Sequence, residues 1–353
     1  MRIRIDPRSG GGTAEIVSDR PLGSGGQGEV HRVRYKDKEY ALKWYTCRSI
    51  IQDAAFRDNL LKNAEDGSPD ASFVWPLFIT EVQHDSYGYL MELFPKGYVP
   101  MSDILNGYRY AEVRGTREKV PVRFSSLSAQ ISAARGIVRA FRALQRVGKS
   151  YKDLNDGGLV FDTATGDVRI CDCDNIAPDN QGISIGKPGY IAPELVTGEG
   201  RSNVLSDRHS MAVILFKLFI RADPLEGARV YSCVAMTGSA ELEHYGRNPL
   251  FIYDPHDDSN RPVKDVHNNA IKLWNGYPAY LRDAFTVTFG EGLRDGNRRV
   301  KPNQWYKVVC RMQSDLTVCG CGCPPVFATM YSSDGTYRCP RCSEEAPMFR
   351  ING

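Results

Sequence analysis

Gly23, Gly25 and Gly28 stand in the run Leu-Gly-Ser-Gly-Gly-Gln-Gly-Glu-Val, which ends at Val30. Glycines spaced in this way let backbone N–H groups lie close over phosphate oxygens, because no Cβ intervenes. Thirteen residues after Val30 comes Lys43, in Tyr-Ala-Leu-Lys, on a stretch that alternates as a strand does. An ammonium there can reach the α- and β-phosphates of a nucleotide. Asp153, in Tyr151-Lys152-Asp153-Leu154, follows a long helical stretch and a break at Gly148. It is suited to accept the proton of an attacking hydroxyl. Asp172, in Ile170-Cys171-Asp172, offers the hard oxygen that Mg²⁺ requires. Each piece alone has a plainer meaning: a loose glycine loop, a solvated strand lysine, a turn aspartate. In this order they describe a nucleotide-phosphate site.

A second chemistry lies in the tail. Cys319, Cys321 and Cys323 form one knuckle, and Cys339-Pro-Arg-Cys342 forms another. Four thiolates from two knuckles suit a tetrahedral Zn²⁺ site around a short hairpin, with strands expected at Val326–Tyr331 and at Tyr337. Only four of the five cysteines are needed, and the spacing does not say which of Cys319, Cys321 and Cys323 is spare. The plainer alternative is a set of reduced or redox-active surface thiols. A zinc site is favoured because exposed free thiols are a liability in a soluble protein.

The elements that must position these residues can be read from periodicity. Residues 1–13, with Gly10-Gly11-Gly12, read as a flexible arm. Residues 14–46 alternate apolar and polar, and the turn at Lys36-Asp37-Lys38 predicts a hairpin. A helix is expected over 49–64, with Phe56, Leu60 and Leu61 on one side and a stop at Gly67-Ser68-Pro69. Strands follow around 73–81 and 88–93, completing a unit of five strands and one helix. Beyond Pro95 the pattern turns helical, at 127–147, 206–220, 278–290 and 305–312. Residues 161–170 read as a hairpin that delivers Asp172, and residues 221–275 give no clear order.

The 353 residues suffice for about two domains of ordinary size. The net charge of +3 gives no argument for nucleic acid. The N-terminus lacks the apolar run of a signal peptide. The most apolar stretch, Met211 to Ile220, is too short to span a bilayer and contains Lys217. A soluble, cytoplasmic protein without a membrane partner is the expectation.

These motifs resemble those of the eukaryotic-type protein kinases, in their bacterial Ser/Thr branch, over residues 14–312. Gly186-Lys-Pro-Gly-Tyr190-Ile-Ala-Pro-Glu194 is similar to the family's G-T-P-x-Y-x-A-P-E, and Asp207 opens a long helix whose Asp steadies the catalytic loop. Arg299 looks like the arginine that pairs with Glu194. The resemblance implies an α+β, bilobal protein-kinase fold. It would comprise a β-rich N-lobe and hinge (14–95), an α-rich C-lobe (96–312) and a zinc ribbon (313–353). It implies Asp153, Lys43 and Asp172 as catalytic residues. The nucleotide would be lined by Gly23, Gly25, Gly28, Val30, Ala41, Lys43, Met91, Glu92, Phe94, Asn155 and Leu159, with Met91 as gatekeeper. Asp172 and Asp174 would hold Mg²⁺. Ile-Cys-Asp-Cys-Asp-Asn, Phe251-Ile-Tyr-Asp-Pro255 and the Cys-rich tail further resemble a bacterial kinase group of tellurite-resistance-type gene clusters. That likeness implies as partners, besides ATP and a protein substrate, a von Willebrand A-domain protein and a metal-dependent protein phosphatase.

The pattern also breaks. The position of the second metal-binding Asn is Gly158, and Asn155 stands where Lys is usual. The helix Glu that would pair with Lys43 is Asn59. Asp174 replaces the glycine of D-F-G, and Lys152 replaces Arg. Lys187 takes the place of the usual Thr, leaving Ser184 as the activation-segment phosphosite apart from Tyr190. Asp174 or Asp156 could supply the missing carboxylate, and Asn59 could hydrogen-bond Lys43. The leading expectation is Ser/Thr phosphorylation with ATP and Mg²⁺. The alternative is a nucleotide-binding pseudokinase that acts through its ribbon.

Overall fold

The computed structural model describes residues 1–18, 20–94, 96–181, 186–333 and 335–347. Its first half is built on one sheet. Strands β1 (Arg2–Arg4), β2 (Thr13–Ile16), β3 (Gly23–Ser24), β4 (Gly28–Tyr35) and β5 (Lys38–Tyr45) precede the helices α1 (Arg48–Ile51) and α2 (Ala54–Asp66). Strands β6 (Phe78–Ile79) and β7 (Gly88–Met91) complete it. The order is β1-β2-β4-β5-β7-β6, with β3 also on β4. The β4–β5 turn places Lys36 and Asp37 at φ 48° and 61°, the left-handed pair that matches the twist of a tight hairpin.

Residues 1–13 are not the flexible arm that their glycines predict. Strand β1 pairs antiparallel with β2, and Ile3 and Ile5 are buried with Val33, Leu42 and Leu90. Apolar side chains at alternate positions supply the reason: even a short strand is held where one face is buried. Asp6 then reaches α2, its Oδ2 accepting from Arg57 at 2.7 Å. The sheet therefore has seven strands where five were expected.

Helix α2 begins where Asp53 accepts from the N–H of Phe56 and ends at Gly67, with φ 77°. Phe56, Leu60 and Leu61 face the sheet, packed with Tyr45, Tyr87 and Tyr89.

The second half is mainly helical and has its own core. Strand β8 (Val99–Pro100) and α3 (Met101–Asn106) lead to an exposed hairpin, β9 (Tyr108–Val113) and β10 (Thr116–Pro121). Helix α4 (Leu127–Arg146) is capped by Ser126, whose hydroxyl accepts from Ala129. Strand β11 (Lys149–Ser150) precedes the 151–158 loop. Strands β12 (Leu159–Phe161) and β13 (Val168–Ile170) form the expected hairpin, and β14 (Ala177–Pro178) pairs with β11. After α5 (Pro193–Val196) comes α6 (Val204–Ile220), opened by an Asn203–Ser206 capping box. Its Met211 to Phe216 segment is wholly buried, so the most apolar stretch is a core helix. Among the described residues no helix is long and apolar enough to cross a membrane. Residues 221–275 form short helical turns, and further helices span Ala279–Phe289 and Pro302–Asp315. This mixed α+β architecture is compatible with a kinase fold.

The tail is docked on the helical half. Phe327 is buried there, 5.8 Å from Tyr277 between ring centres, and Asp315 accepts from the N–H of Thr329 and from the Tyr280 hydroxyl. Of the expected ribbon strands, Val326–Phe327 forms and Tyr337 lies on Thr336–Arg338, but Ala328–Tyr331 is a helical turn.

Candidate active site

Lys43 and Tyr45 project from one face of β5, since side chains two apart on a strand share a face. Lys43 is buried, 6% exposed, and its ammonium lies 3.1 Å from Asp172 Oδ1 and 2.9 Å from Asp174 Oδ2. It also donates to Gln27 Oε1 at 3.0 Å, a contact from the glycine loop that its glycines did not announce. Burial opposes the charge on Lys43, but Asp174 and then Asp172 outweigh it and hold the ammonium well above its ordinary range.

The two aspartates sit on one turn and face different surroundings. Asp172 adopts φ 52°, and a helical turn over Cys173–Asn175 follows. The Asp172 side chain is half exposed, whereas that of Asp174 is wholly enclosed. Asp174 Oδ2 also accepts from the Tyr45 hydroxyl at 2.6 Å. The expectation that Asp174 joins Asp172 as a Mg²⁺ ligand is therefore at odds with its surroundings: it is sealed from solvent and engaged by a lysine. Asp156, the other substitute, is paired with Lys187 at 3.2 Å.

Asp153 lies within the field of the same groups. Burial pushes its carboxyl up to about 6, the Asn155 amide opposes this, and Asp172 and Asp174 add to it. A carboxylate poised there is a stronger proton acceptor than a free one. Asn155 Nδ2 donates to Asp153 Oδ1 at 3.2 Å and to its backbone oxygen at 3.0 Å. The loop is fixed from beneath by Asp207 on α6. Its Oδ2 accepts from the Tyr151 N–H at 2.6 Å and its Oδ1 from the Lys152 N–H at 3.1 Å. Lys152 is buried and donates to the backbone oxygens of Pro178 and Gln181. The Arg299–Glu194 pair also forms, with two contacts of 2.7 Å.

At Gly158 a Cβ would lie 3.2 Å from the Tyr151 hydroxyl, which itself donates to the Cys171 carbonyl. The tyrosine thus occupies the space beside this glycine. Asn59 does not approach Lys43 by any hydrogen bond; its amide donates to the Ile176 carbonyl at 2.8 Å. Asn63 joins it there at 2.7 Å and accepts from Lys149 at 2.9 Å. Helix α2 is thereby clasped to the segment that follows Asp174.

The expected nucleotide-lining residues divide into two groups. Gly23 and Gly25 face open space, so the loop backbone is accessible there. Gly28 serves packing instead, because a Cβ would meet the Trp44 carbonyl at 2.1 Å. Val30 and Ala41 lie on β4 and β5, and Ala41 pairs with Met91 on β7. Glu92 and Phe94 are exposed beyond β7, and Pro95, the end of the expected hinge, lies outside the described residues, as does Ser184. Leu159 is fully buried in the helical core. Strand alternation instead turns Val160 to the opposite face, outside that cluster.

In the tail, the sulfurs of Cys319, Cys321, Cys323 and Cys339 lie within 4.8 Å of one another. Cys321 and Cys323 are 3.8 and 3.7 Å from Cys339, and Cys319 is 3.5 Å from Cys342. Tetrahedral Zn²⁺ with bonds of about 2.3 Å sets its sulfurs about 3.8 Å apart, so this donor set fits the ion. The N–H groups of Cys342 and Arg341 lower the Cys339 thiol to about 5, favouring the thiolate that a metal binds.

No model of a known protein family matches the chain. The chain is similar to the serine/threonine-protein kinase sck2 of Schizosaccharomyces pombe, at 25% identity over 221 residues. The match covers 59% of this chain and spans about a third, 31%, of that relative's length. The similarity is to a protein kinase, and it is distant and partial.

Proposed function

We propose that the chain is a protein kinase that uses Mg²⁺ and ATP to phosphorylate Ser or Thr on a protein, or on itself. The observation that carries this reading is Lys43 on β5 meeting Asp172 at 3.1 Å, beside Asp153, whose carboxyl is poised at about 6. Lys43 would anchor phosphate oxygens, exchanging its contact with Gln27 for them. Bound Mg²⁺, for which half-exposed Asp172 is the fitting carboxylate, neutralises phosphate charge in such reactions. Asp153 would take the proton as the substrate hydroxyl attacks the γ-phosphorus and ADP departs. The open backbone at Gly23 and Gly25 would cover the phosphates. Location in the cytoplasm, a zinc-bearing ribbon, and partners of the von Willebrand A-domain and metal-dependent phosphatase kinds complete the reading by resemblance.

A second reading, a pseudokinase that binds nucleotide and acts through its ribbon, is favoured by Gly158 and by the enclosure of Asp174, which leave fewer metal ligands. Purified protein with radiolabelled ATP decides between them. The kinase reading expects transfer that Asp153→Ala abolishes and that Lys43→Ala cuts to a small residual rate. Absence of transfer together with a melting shift on adding Mg-ATP would favour the pseudokinase; absence of both would overturn the two readings together.

A further inference from the structure

We propose that Asp174 is the positioning residue for Lys43, supplying from the turn after β13 the counter-charge that α2 lacks. The inference rests on the reading of Lys43 as the phosphate anchor. A buried ammonium is stable only when paired. Helix α2 offers no carboxylate for the purpose. Asp58 is exposed, Glu65 pairs with Arg8 and Asp66 with Lys149. Asn59 is committed to the Ile176 carbonyl.

Asp174 fills the vacancy on three grounds. Its side chain is wholly buried, so its charge must be answered inside the protein. Its Oδ2 lies 2.9 Å from Lys43 Nζ and accepts from Tyr45 two residues along the same strand face. Its Oδ1 is buried with no hydrogen-bond partner among the described residues, so Lys43 is its one charged contact there. The arrangement separates two tasks on one turn. Asp172 faces the cleft and is available to a metal, while Asp174 faces inward and fixes the lysine. Its lesser contribution to the field at Asp153 aside, a carboxylate that acts through Lys43 has no effect to exert once Lys43 is gone.

A double-mutant cycle on the full chain tests this with Asp174→Asn, Lys43→Ala and the pair. Asp174→Asn should lower kcat/KM at least tenfold, and the double variant should be no worse than Lys43→Ala alone. The Mg²⁺ concentration for half-maximal rate should stay unchanged in Asp174→Asn. A further loss in the double variant, or a raised Mg²⁺ requirement, would overturn the proposal and make Asp174 a metal ligand. A readout without nucleotide separates this from failure of the kinase reading. Acylation of Lys43 by an N-hydroxysuccinimide ester, followed by mass spectrometry, should quicken severalfold in Asp174→Asn while Lys149 is unaffected. An unchanged rate refutes the pairing whether or not the parent transfers phosphate. Should Asp174→Asn not fold, the parent decides. A through-space dipolar coupling between Lys43 Nζ and Asp174 Cγ is expected by NMR, as the 2.9 Å ion pair requires, and a coupling to the Asp172 carboxyl carbon alone refutes the assignment.

Discussion

At Gly158 the site departs furthest from the motif it resembles, and the departure is coupled to Tyr151. A side chain at 158 would crowd a hydroxyl already bonded to the Cys171 carbonyl. Restoring a metal ligand with Gly158→Asn alone should therefore bring no gain in turnover. The same change in a Tyr151→Phe background should lower the Mg²⁺ needed, because the added oxygen then has room; steady-state rates across a Mg²⁺ series check both. Asp153 offers a second test. Its folded pKa of about 6 exceeds the ordinary value of about 3.9, so the folded state holds more protons between these pH values. Stability from this group thus falls as pH rises through that window. Asp153→Asn should stabilise the fold at pH 7 by about 1–2 kcal/mol after discounting for solvent screening, while abolishing transfer. In the parent, the rate should climb with pH to a plateau above about 6. Lys43, Asp153 and Asp172 were legible in the sequence because each sits in a short motif. Asp174 as counter-ion was not, because its partners Lys43 and Tyr45 lie 131 and 129 residues away along the chain.

Among the elements, α2 carries the most unexpected burden. Asn63 is fully buried, donates to Ile176, accepts from Lys149, and its carbonyl accepts from the Trp75 indole. Asn63→Ala would strand the Lys149 ammonium's second contact and weaken the grip on Ile176. A loss of about 2–4 kcal/mol is expected from two buried hydrogen bonds, one of them charged, and urea unfolding measures it. Most strands and helices could be read from alternation and from stops such as Gly67. The hairpin of β9 and β10 could not, because neither of its strands has a buried face to mark the period. Strand β1 escaped notice for another reason. Its own three residues are too few to show a period, and glycines follow closely.

Across the whole molecule, the cysteine tail and the helical half are joined by packing that does not depend on the metal site. Phe327 lies in the helical core, and Asp315 ties Thr329 to Tyr280. Protein purified without chelators should carry about one zinc per chain, and Cys339→Ser should remove it, as elemental analysis would show. The main thermal transition should move little, since the Phe327 anchor survives. Loss of the whole transition would mean that the metal supports the fold itself. The knuckles were plain in the sequence. Their docking was not, because it depends on surfaces contributed by distant segments.

The clasp of α2 onto Ile176 has a pharmacological consequence. Where the lysine's counter-ion rides on that helix, a small molecule can disable the site by prising the helix outward. Here the counter-ion is on the turn after β13 and not on the helix. A compound wedged behind α2 would strain the clasp yet leave Lys43 paired, so the cleft would resist that mode of inhibition and yield only to occupants of the nucleotide position.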